Sequence, residues 1–555
     1  MNQANIELDV EVQMRDGTVL RADVYRPAAP GAYPVLIQRT PYHKQSPGQS
    51  LMFDVLAAVK RGFIVVQQDT RGRFESEGQW LPWAYERQDG YDTVLWARSL
   101  PGSNGKVGMF GGSFTGQTQW TTAIAQPPGL AAIAPQLTWS DPANGLMFRG
   151  GAVELGLNTV WGLGTSVAQL PKIIEDPDKL VAELATVIGD LDSLATKGYW
   201  DLPVAQLPVL TRTGQPDVGV RRALLDFDTT DECRVAGKHD QVNVPSLNIG
   251  GWYDVFQQGT LDNFAAMRAR GVPARLVVGP WGHDPLFMFG QVGEINFGMM
   301  SMVAPGARTM TDLQLDFFDE HLRDTSSAPA DKAPVQIFVM GINQWRDEQQ
   351  WPLERARDTP LYLQPSGCAA FDEPAGEPSH TDYIYDPADP VPTCGGNLAM
   401  APEFPAGPRD QWKVESRSDV LVFTTPVLTE DLEITGRVKA VLYAATDGPT
   451  TDWVVRLCDV DEHGTSYNIV DGIARVTTEP GRVDRTEIDL WSTSIVIKAG
   501  HRLRVHVTSS NFPRWDRNPN TDAEVDHPDN FRVASQQIYH DSEHPSHLVL
   551  PIVPS

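Results

Sequence analysis

Cysteine is scarce in this chain, and its four cysteines are not arranged for a metal site or a disulfide framework. They are Cys233, Cys368, Cys394 and Cys458, with no Cys-x-x-Cys pair and no histidine pair nearby. A zinc cage needs closely spaced ligands, and a disulfide-stapled scaffold is short and rich in cysteine. We therefore predict no metal and no disulfides, and we expect buried free thiols.

Basic residues and long apolar runs are also in short supply. Lysine and arginine number 45 against 71 aspartate and glutamate residues, which gives a net charge of −26. The resulting field repels DNA, RNA and anionic bilayers, so nucleic-acid binding is disfavoured. No apolar run approaches the roughly 18 residues of a membrane helix. The first residues carry Glu7, Asp9 and Glu11 where a signal peptide would be basic and then apolar, so we expect a soluble, cytoplasmic protein.

What the sequence does contain is the pattern of a folded α/β chain. Its 555 residues, 41% of them hydrophobic, suffice for several domains with ample cores. Short apolar runs bounded by turn residues occur at 34–38, 62–67, 105–110 and 130–134, and residues 86–100 carry apolar side chains at helical spacing. Strands that alternate with helices are typical of a mostly parallel sheet.

This alternation is interrupted twice, and the breaks predict the domain boundaries. Helical periodicity replaces the strand runs over 146–240, which indicates a cap inserted into the α/β domain. From 353 to 555 alternating, β-branched runs are separated by Gly, Pro and Asp turns, as in a sandwich or jelly roll. We therefore predict a discontinuous α/β domain of residues 1–145 and 241–352, a helical cap and an all-β jelly-roll domain. Residues 369–399, rich in Pro, Gly and Asp, predict a long loop.

The most informative stretch runs from Val107 to Gly116. A strand pattern leads into Gly111-Gly112-Ser113 and then into a helix, and the glycines permit the tight turn that lifts a serine hydroxyl above the sheet edge. This order is typical of a nucleophile elbow, although the closing glycine comes three residues after the serine instead of two. An ordinary glycine-rich turn is the alternative.

A reactive serine needs a base to take its proton and a carboxylate to orient that base. In α/β hydrolases these partners follow the serine in the order Asp, then His. Asp254 follows a strand pattern at 244–249 and His283 follows the next one at 274–278, so both lie where open α/β sheets gather their sites. His43 is a rival base because of its loop position, but it precedes the serine. We therefore predict that Asp254 and His283 complete a triad with the serine.

Acyl transfer also requires donors for the developing oxyanion. The amide N–H of Phe114, next after the serine, is one donor by geometry. The second should come from the loop at 39–44, which has no His-Gly-Gly-Gly tract. A tyrosine hydroxyl can serve instead, so Tyr42 is the candidate, with a packed loop tyrosine as the alternative.

Short motifs spread over nearly the whole chain match one family of hydrolases. They are Arg39-Thr40-Pro41-Tyr42, Gln68-Asp69-Thr70-Arg71-Gly72, Ser76-Glu77-Gly78, Gly111 to Gly116, Gly251-Trp252-Tyr253-Asp254, Gly279-Pro280-Trp281-Gly282-His283, Ser509-Ser510-Asn511-Phe512-Pro513 and Asp516-Arg517-Asn518. Together they resemble the cocaine esterase-like serine hydrolases, relatives of the X-Pro dipeptidyl-peptidases and α-amino acid ester hydrolases. The resemblance implies an α/β-hydrolase domain with an inserted helical cap and a C-terminal jelly roll.

The resemblance also implies residue roles. Ser113 would be the nucleophile, His283 the general base and then acid, and Asp254 its orienting carboxylate, with the Tyr42 hydroxyl and the Phe114 amide as the oxyanion hole. Many relatives carry Tyr where this chain has Phe114, which matters little because the backbone N–H donates.

The acyl pocket is where the resemblance is least complete. It implies aromatic walls, which Trp161 in the cap and Phe256 after Asp254 would supply; for Trp161 a plain core position is the alternative. Where the family places a Leu-Phe pair from the jelly roll, this chain offers Ala399-Met400, so the pocket shape and the substrate are expected to differ.

The predicted reaction is hydrolysis of a small-molecule carboxylic ester through an acyl-enzyme, with no metal or organic cofactor. The acyl group would be aromatic or bulky. Alternatives within the family are an X-Pro dipeptidyl-peptidase or an α-amino acid ester hydrolase acting as a β-lactam acylase. A non-catalytic carbohydrate- or ligand-binding protein is an alternative from another class. The oligomeric state is open, with a homodimer as one option.

Overall fold

A mixed sheet of ten strands organises the first part of the chain in the computed structural model, which describes residues 4–46, 48, 52–211, 220–283, 290–323, 333–376, 378–522 and 527–554. The strands of this part are β1 (Ala4–Gln13), β2 (Val19–Pro27), β3 (Tyr33–Thr40), β4 (Ile64–Asp69), β5 (Ser103–Gly112), β6 (Leu130–Gln136), β7 (Phe148–Arg149), β8 (Ala152–Val153), β9 (Ser246–Tyr253), β10 (Ala274–Gly282), β11 (Gln291–Val292), β12 (Ile295–Asn296), β13 (Val335–Val339) and β14 (Gln344–Glu348). The sheet order is β1-β2-β4-β3-β5-β6-β9-β10-β13-β14, while β7 pairs with β8 and β11 with β12. Its central strands are parallel and its edge pairs antiparallel.

Helices cover both faces of this sheet, as the apolar strand runs require. In chain order the described helices of this part are α1 (Val55–Lys60), α2 (Glu86–Arg98), α3 (Phe114–Ile124), α4 (Leu155–Ile173), α5 (Pro177–Asp192), α6 (Pro208–Thr211), α7 (Val220–Leu225), α8 (Gln257–Ala269) and α9 (Met310–Leu322). Those that cover the sheet are α1, α2, α3, α8 and α9. Val35 and Ile37 of β3 belong to the core formed with α2, α3 and α8, whereas Leu36 belongs to the core with α1 and α9. The predicted α/β fold is confirmed. The sheet continues past α9, because β13 and β14 extend it.

The helices predicted between the sixth strand and the resumption of the sheet are present. Helices α4 to α7 lie between β6 and β9 in the chain. Leu163 and Leu170 of α4 pack with Val187 of α5 in one apolar cluster, which also contains Ala401 and Phe512 from the last third of the chain. The inserted helices therefore pack against the C-terminal part of the protein as well as against one another.

The C-terminal part is mostly β, and its described residues form one short α-helix, α10 (Trp412–Glu415). Within the described residues its sheet has eleven strands: β15 (Arg357–Gln364), β16 (Cys368–Ala370), β17 (His380–Tyr385), β18 (Leu421–Thr424), β19 (Leu432–Thr446), β20 (Thr450–Val460), β21 (Ser466–Thr477), β22 (Asp484–Ile497), β23 (Arg502–Thr508), β24 (Ala534–Tyr539) and β25 (His547–Val553).

Two local predictions were wrong. The stretch 369–399 is not a continuous loop, because β17 lies within it and pairs antiparallel with β24. In this strand Tyr383 and Tyr385 are buried and Ile384 between them is exposed, an alternation that the sequence does not display. The four cysteines are free, but only Cys233 and Cys458 are buried, while Cys368 is exposed.

Buried charges join the inserted segment to the β domain. Arg514 Nε lies 3.9 Å from Glu154 Oε2 of the inserted segment, and the indole N–H of Trp515 donates to Glu154 Oε1 at 3.0 Å. The guanidinium of Arg149 lies 3.8 Å from the ring centroid of Trp491. Buried charges are costly unless partnered, so these contacts require the two parts to meet in one arrangement. None of the helices formed by the described residues has the length and apolarity needed to cross a bilayer.

Candidate active site

Ser113 lies in a sharp turn between β5 and α3. Its backbone has φ 59° and ψ −126°, in the region that residues other than glycine rarely adopt. The turn is anchored to β6 and to the residues that follow it, because the Ser113 N–H donates to the Gln136 carbonyl at 2.9 Å and the Thr138 hydroxyl donates to the Ser113 carbonyl at 2.9 Å. The predicted elbow is therefore present, with the hydroxyl at the carboxyl edge of the sheet.

Two glycines allow the close packing of this turn. Gly111 has φ +122°, and a Cβ there would lie 2.3 Å from Thr115 Oγ1. A Cβ on Gly116 would lie 2.9 Å from the Gln136 carbonyl oxygen, because α3 passes directly over the end of β6. This close approach explains why the closing glycine comes three residues after Ser113. Position 116 is the one that lies against β6, whereas at position 115 the threonine hydroxyl donates to the Gly112 carbonyl at 2.7 Å.

Three side chains predicted from separate parts of the chain meet at this edge. His283 Nε2 lies 3.0 Å from Ser113 Oγ, and His283 Nδ1 lies 2.6 Å from Asp254 Oδ2. Asp254 follows β9 and His283 follows β10, which are neighbouring parallel strands, so their carboxyl ends coincide. The buried carboxylate accepts the Nδ1 proton, which leaves Nε2 as the acceptor for the serine hydroxyl.

The loop that carries Asp254 is held from two sides. Its Oδ1 accepts the N–H of Phe256 at 2.8 Å. From the C-terminal domain, Asn397 Nδ2 donates to the carbonyls of Trp252 at 2.8 Å and Asp254 at 3.1 Å. The sequence analysis missed Asn397, since it lies in the stretch read as a loop and carries no motif.

The hydroxyl of Tyr42 is available as a hydrogen-bond donor beside the serine. It accepts the indole N–H of Trp161 at 3.1 Å and also hydrogen-bonds with Ser113, so the phenol lies beside the serine, where its O–H can donate to a bound ester. Burial raises the pKa of Tyr42, partly offset by its hydrogen bonds with Trp161 and Ser113, so the phenol keeps that proton at neutral pH. The Phe114 N–H is the first of α3 and has no acceptor within the helix. These are the two groups predicted for the oxyanion hole.

A cavity of about 780 Å³ opens directly above the serine. Trp161 stacks between Trp83 and Phe114, with ring centroids 5.8 Å and 6.4 Å away. Phe256 packs edge-on against the His283 ring at 5.1 Å. Further residues of the lining are Tyr42, Met52, Arg73, Phe74, Trp139, Leu146, Leu157, Asn158, Thr165, Leu398, Ala399, Met400 and Phe404.

The cavity wall combines all parts of the chain. Ala399 and Met400 of the C-terminal part line the same cavity as Ser113. The Met400 thioether lies over Gly156 of α4, where an added Cβ would come 2.3 Å from Met400 Cε. The rival histidine, His43, instead packs against Phe74 with ring centroids 4.7 Å apart. Trp83 and Arg73 were missed, because both belong to a loop whose sequence carries no periodicity.

Profiles of two domain families match the chain. The X-Pro dipeptidyl-peptidase (S15 family) matches residues 16–285, and the X-Pro dipeptidyl-peptidase C-terminal non-catalytic domain matches residues 328–549. The two matches fall on the α/β part and on the β-rich part of the structure.

Known proteins resemble the whole chain. Cocaine esterase of Rhodococcus sp. (strain MB1 Bresler) is 36% identical over 592 aligned positions, which cover 99% of each chain. An α-amino acid ester hydrolase structure is 26% identical, with a TM-score of 0.80, and covers 99% of this chain and 97% of that one. An aminopeptidase from a marine sediment archaeon, Thaumarchaeota archaeon, is 24% identical with a TM-score of 0.79 over 100% of this chain and 97% of its own, which supports the same fold.

Proposed function

The chain belongs to the cocaine esterase-like family of serine hydrolases, which cleave carboxylic esters, and we propose that it does so through an acyl-enzyme formed on Ser113. The observation that carries this proposal is the position of His283, whose ring nitrogens lie 3.0 Å from Ser113 Oγ and 2.6 Å from Asp254 Oδ2. That arrangement can remove the serine proton and stabilise the resulting imidazolium.

The mechanism follows from these contacts. As Ser113 Oγ attacks the ester carbonyl, its proton passes to His283 Nε2 and the carbonyl oxygen becomes an oxyanion between the Tyr42 hydroxyl and the Phe114 N–H. The tetrahedral species collapses when His283 protonates the leaving alcohol. A water molecule, deprotonated by the same imidazole, then attacks the acyl-enzyme and releases the acid and the free serine.

Replacing Tyr42 by phenylalanine tests the oxyanion hole. We expect kcat to fall about 10²- to 10³-fold with little change in KM, because the lost donor serves the transition state more than the bound ester. Steady-state kinetics on phenyl acetate measure the effect. Tyr33→Phe, at the opposite end of β3 from the loop that carries Tyr42 and with its hydroxyl on the Ala29 carbonyl, is the matched control and should keep wild-type kinetics. Equal kcat in the two variants would remove Tyr42 from the mechanism.

The preferred acyl group is proposed to be aromatic or bulky. Trp161 and Phe256 form rigid aromatic surfaces on the cavity beside the serine, and such surfaces favour flat apolar acyl groups. In a panel of phenyl esters from acetate to benzoate, we expect kcat/KM for the benzoate to exceed that for the acetate about tenfold. A preference for the shortest acyl groups would exclude an acyl-binding role for Trp161 and Phe256. Ser113→Ala supplies the background rate.

The amine-directed alternatives share the fold but fit the cavity less well. An X-Pro peptidase or an α-amino acid ester hydrolase must bind a substrate ammonium, which requires an anionic partner. The described residues that line the cavity include no Asp or Glu. They do include Arg73, whose charge is positive like that of the substrate ammonium. Turnover of phenyl benzoate together with inertness to Ala-Pro-nitroanilide would separate the ester hydrolase from the peptidase. Family membership sets the non-catalytic alternative aside.

From the sequence we further propose three domains, formed by residues 1–145 with 241–352, by 146–240 and by 353–555, with a jelly-roll topology in the last, and a cytoplasmic location. The substrate is a small molecule, and a homodimer stays open. Size-exclusion chromatography with light scattering would decide the oligomeric state.

A further inference from the structure

Arg73 is a buried cation on the wall of the ester-binding cavity. It lies in the loop after β4, has 1% exposure and lines the cavity together with Ser113. Its Nε–H donates to the Pro41 carbonyl at 2.8 Å, and Nη1 donates to the Thr165 carbonyl at 3.1 Å and to Gln169 Oε1 at 3.0 Å. All three acceptors are neutral, so they position the guanidinium without cancelling its charge.

No carboxylate of the described chain lies within salt-bridge distance of this guanidinium. Asp69, four residues earlier, is held by Lys44, whose Nζ lies 3.1 Å from one oxygen and whose N–H donates to the other at 2.7 Å. Arg71 on the same loop has the usual arrangement, since its guanidinium bonds Asp89 through two nitrogens at 2.9 and 2.6 Å. Buried arginines are normally paired with a carboxylate, as Arg71 is.

Arg73 remains a cation despite this isolation. Burial lowers its pKa to about 10, with partial compensation from Tyr42 and Asp69, so it stays protonated at neutral pH. The Trp80 and Phe74 rings lie 5.0 and 5.1 Å from the guanidinium carbon and add cation–π attraction. The three hydrogen bonds use Nε and Nη1. For Nη2 the described residues supply no acceptor, and it is the nitrogen left for a ligand.

We propose that Arg73 binds a carboxylate carried by the ester substrate, so that the enzyme prefers half-esters or carboxylate-bearing esters over their neutral counterparts. A carboxylate in the cavity would give this buried cation the anionic partner that the described protein lacks. The cavity of about 780 Å³ has room for an acyl group beside the serine and for a charged arm that reaches Arg73. This inference rests on the proposed ester hydrolysis and specifies its substrate class.

The test compares esters that differ only in charge. Monoethyl glutarate against ethyl glutaramate places the carboxylate on the acyl side. The acetate esters of γ-hydroxybutyrate and of its amide place it on the alcohol side. Hydrolysis is followed by titration of the released acid. We expect wild type to favour the carboxylate in at least one pair by tenfold or more in kcat/KM, on the order of a charge-assisted hydrogen bond, and the preferred pair identifies which side faces Arg73.

Arg73→Gln should remove this preference, which lowers the carboxylate-to-amide ratio about tenfold or more. The matched control is Lys172→Gln on α4, which removes the same charge from a lysine whose Nζ bonds the Ser76 carbonyl at 2.6 Å and which is not part of the cavity lining. It should leave the ratio within about twofold, because exposed charges are screened. Arg73→Lys should restore part of the preference, since a point charge replaces the fork.

Two results would overturn the proposal: equal kcat/KM for the carboxylate and amide esters in wild type, or an equal loss for both in Arg73→Gln. The second would make Arg73 only a support for the loop of Tyr42. If Arg73→Gln does not fold, inhibition of wild type decides instead, because glutarate must then compete with phenyl acetate much more strongly than glutaramide does. If wild type hydrolyses phenyl acetate, either result rejects only the role of Arg73 and leaves the proposed ester hydrolysis intact. If wild type does not hydrolyse phenyl acetate, the proposed function itself is contradicted.

Discussion

Replacing Ser113 with alanine should lower kcat for phenyl acetate by about 10⁴- to 10⁶-fold and leave the fold unchanged. The Ser113 Oγ atom is the one that bonds to the acyl group. The rate that the alanine variant retains would come from substrate binding and the oxyanion donors alone. Alanine retains the Cβ that the turn already accommodates at φ 59°. Intact mass after treatment with a fluorophosphonate probe should show one adduct on wild type and none on the variant.

A serine elsewhere serves as the control for this result. Ser99, exposed at the end of α2, bonds the Trp96 carbonyl and is remote from the cavity. Ser99→Ala should retain the adduct and the wild-type rate. Adduct formation at another residue, or turnover by Ser113→Ala above about one hundredth of wild type, would contradict the proposed nucleophile.

Replacing Asp254 with asparagine should reduce kcat by about 10⁴-fold without removing the reactive hydroxyl. An amide nitrogen can donate to His283 Nδ1, which places the imidazole proton on Nε2, so the ring can no longer accept the serine proton. The side chain has the same shape and its Oδ1 contact with the Phe256 N–H survives, so the loss is electronic and not steric. Stopped-flow or steady-state kinetics on phenyl acetate measure it.

Asp240→Asn is the matched control for this change. Asp240 is an exposed carboxylate in the segment that leads into β9, and only its backbone carbonyl contacts Arg270. It should leave kcat within about twofold. If Asp254→Asn were equally mild, His283 would have to be oriented by another group, and the triad as proposed would be wrong.

Many of the strands and several individual site residues could be predicted from the sequence alone. The buried strands β4, β6 and β9 could be predicted as short apolar runs because they are covered on both faces. Asp254 and His283 could be predicted because each directly follows such a strand. Strand β17 was missed because Ile384 between Tyr383 and Tyr385 breaks the polar–apolar alternation and because Pro, Gly and Asp residues surround the strand.

Contacts between residues that are distant in the sequence could not be predicted in this way. Asn397 holds the Asp254 loop from 143 positions away, and Trp83 stacks on Trp161 of α4. No local pattern marks either residue, because a hydrogen bond or a ring contact depends on where two separate segments come to lie. The same holds for Arg73, whose importance rests on which charges are not beside it.

Backbone preference and burial periodicity act over a few residues, so the α/β alternation, the β-rich last third of the chain and the glycine-rich turn at Ser113 could be predicted from the sequence. The 3.0 Å distance between His283 Nε2 and a serine 170 positions earlier arises only in the folded chain, as does the position of Arg73 on their cavity without a carboxylate of the described chain beside it. Strand order and helix packing set those distances, and they are properties of the whole folded chain.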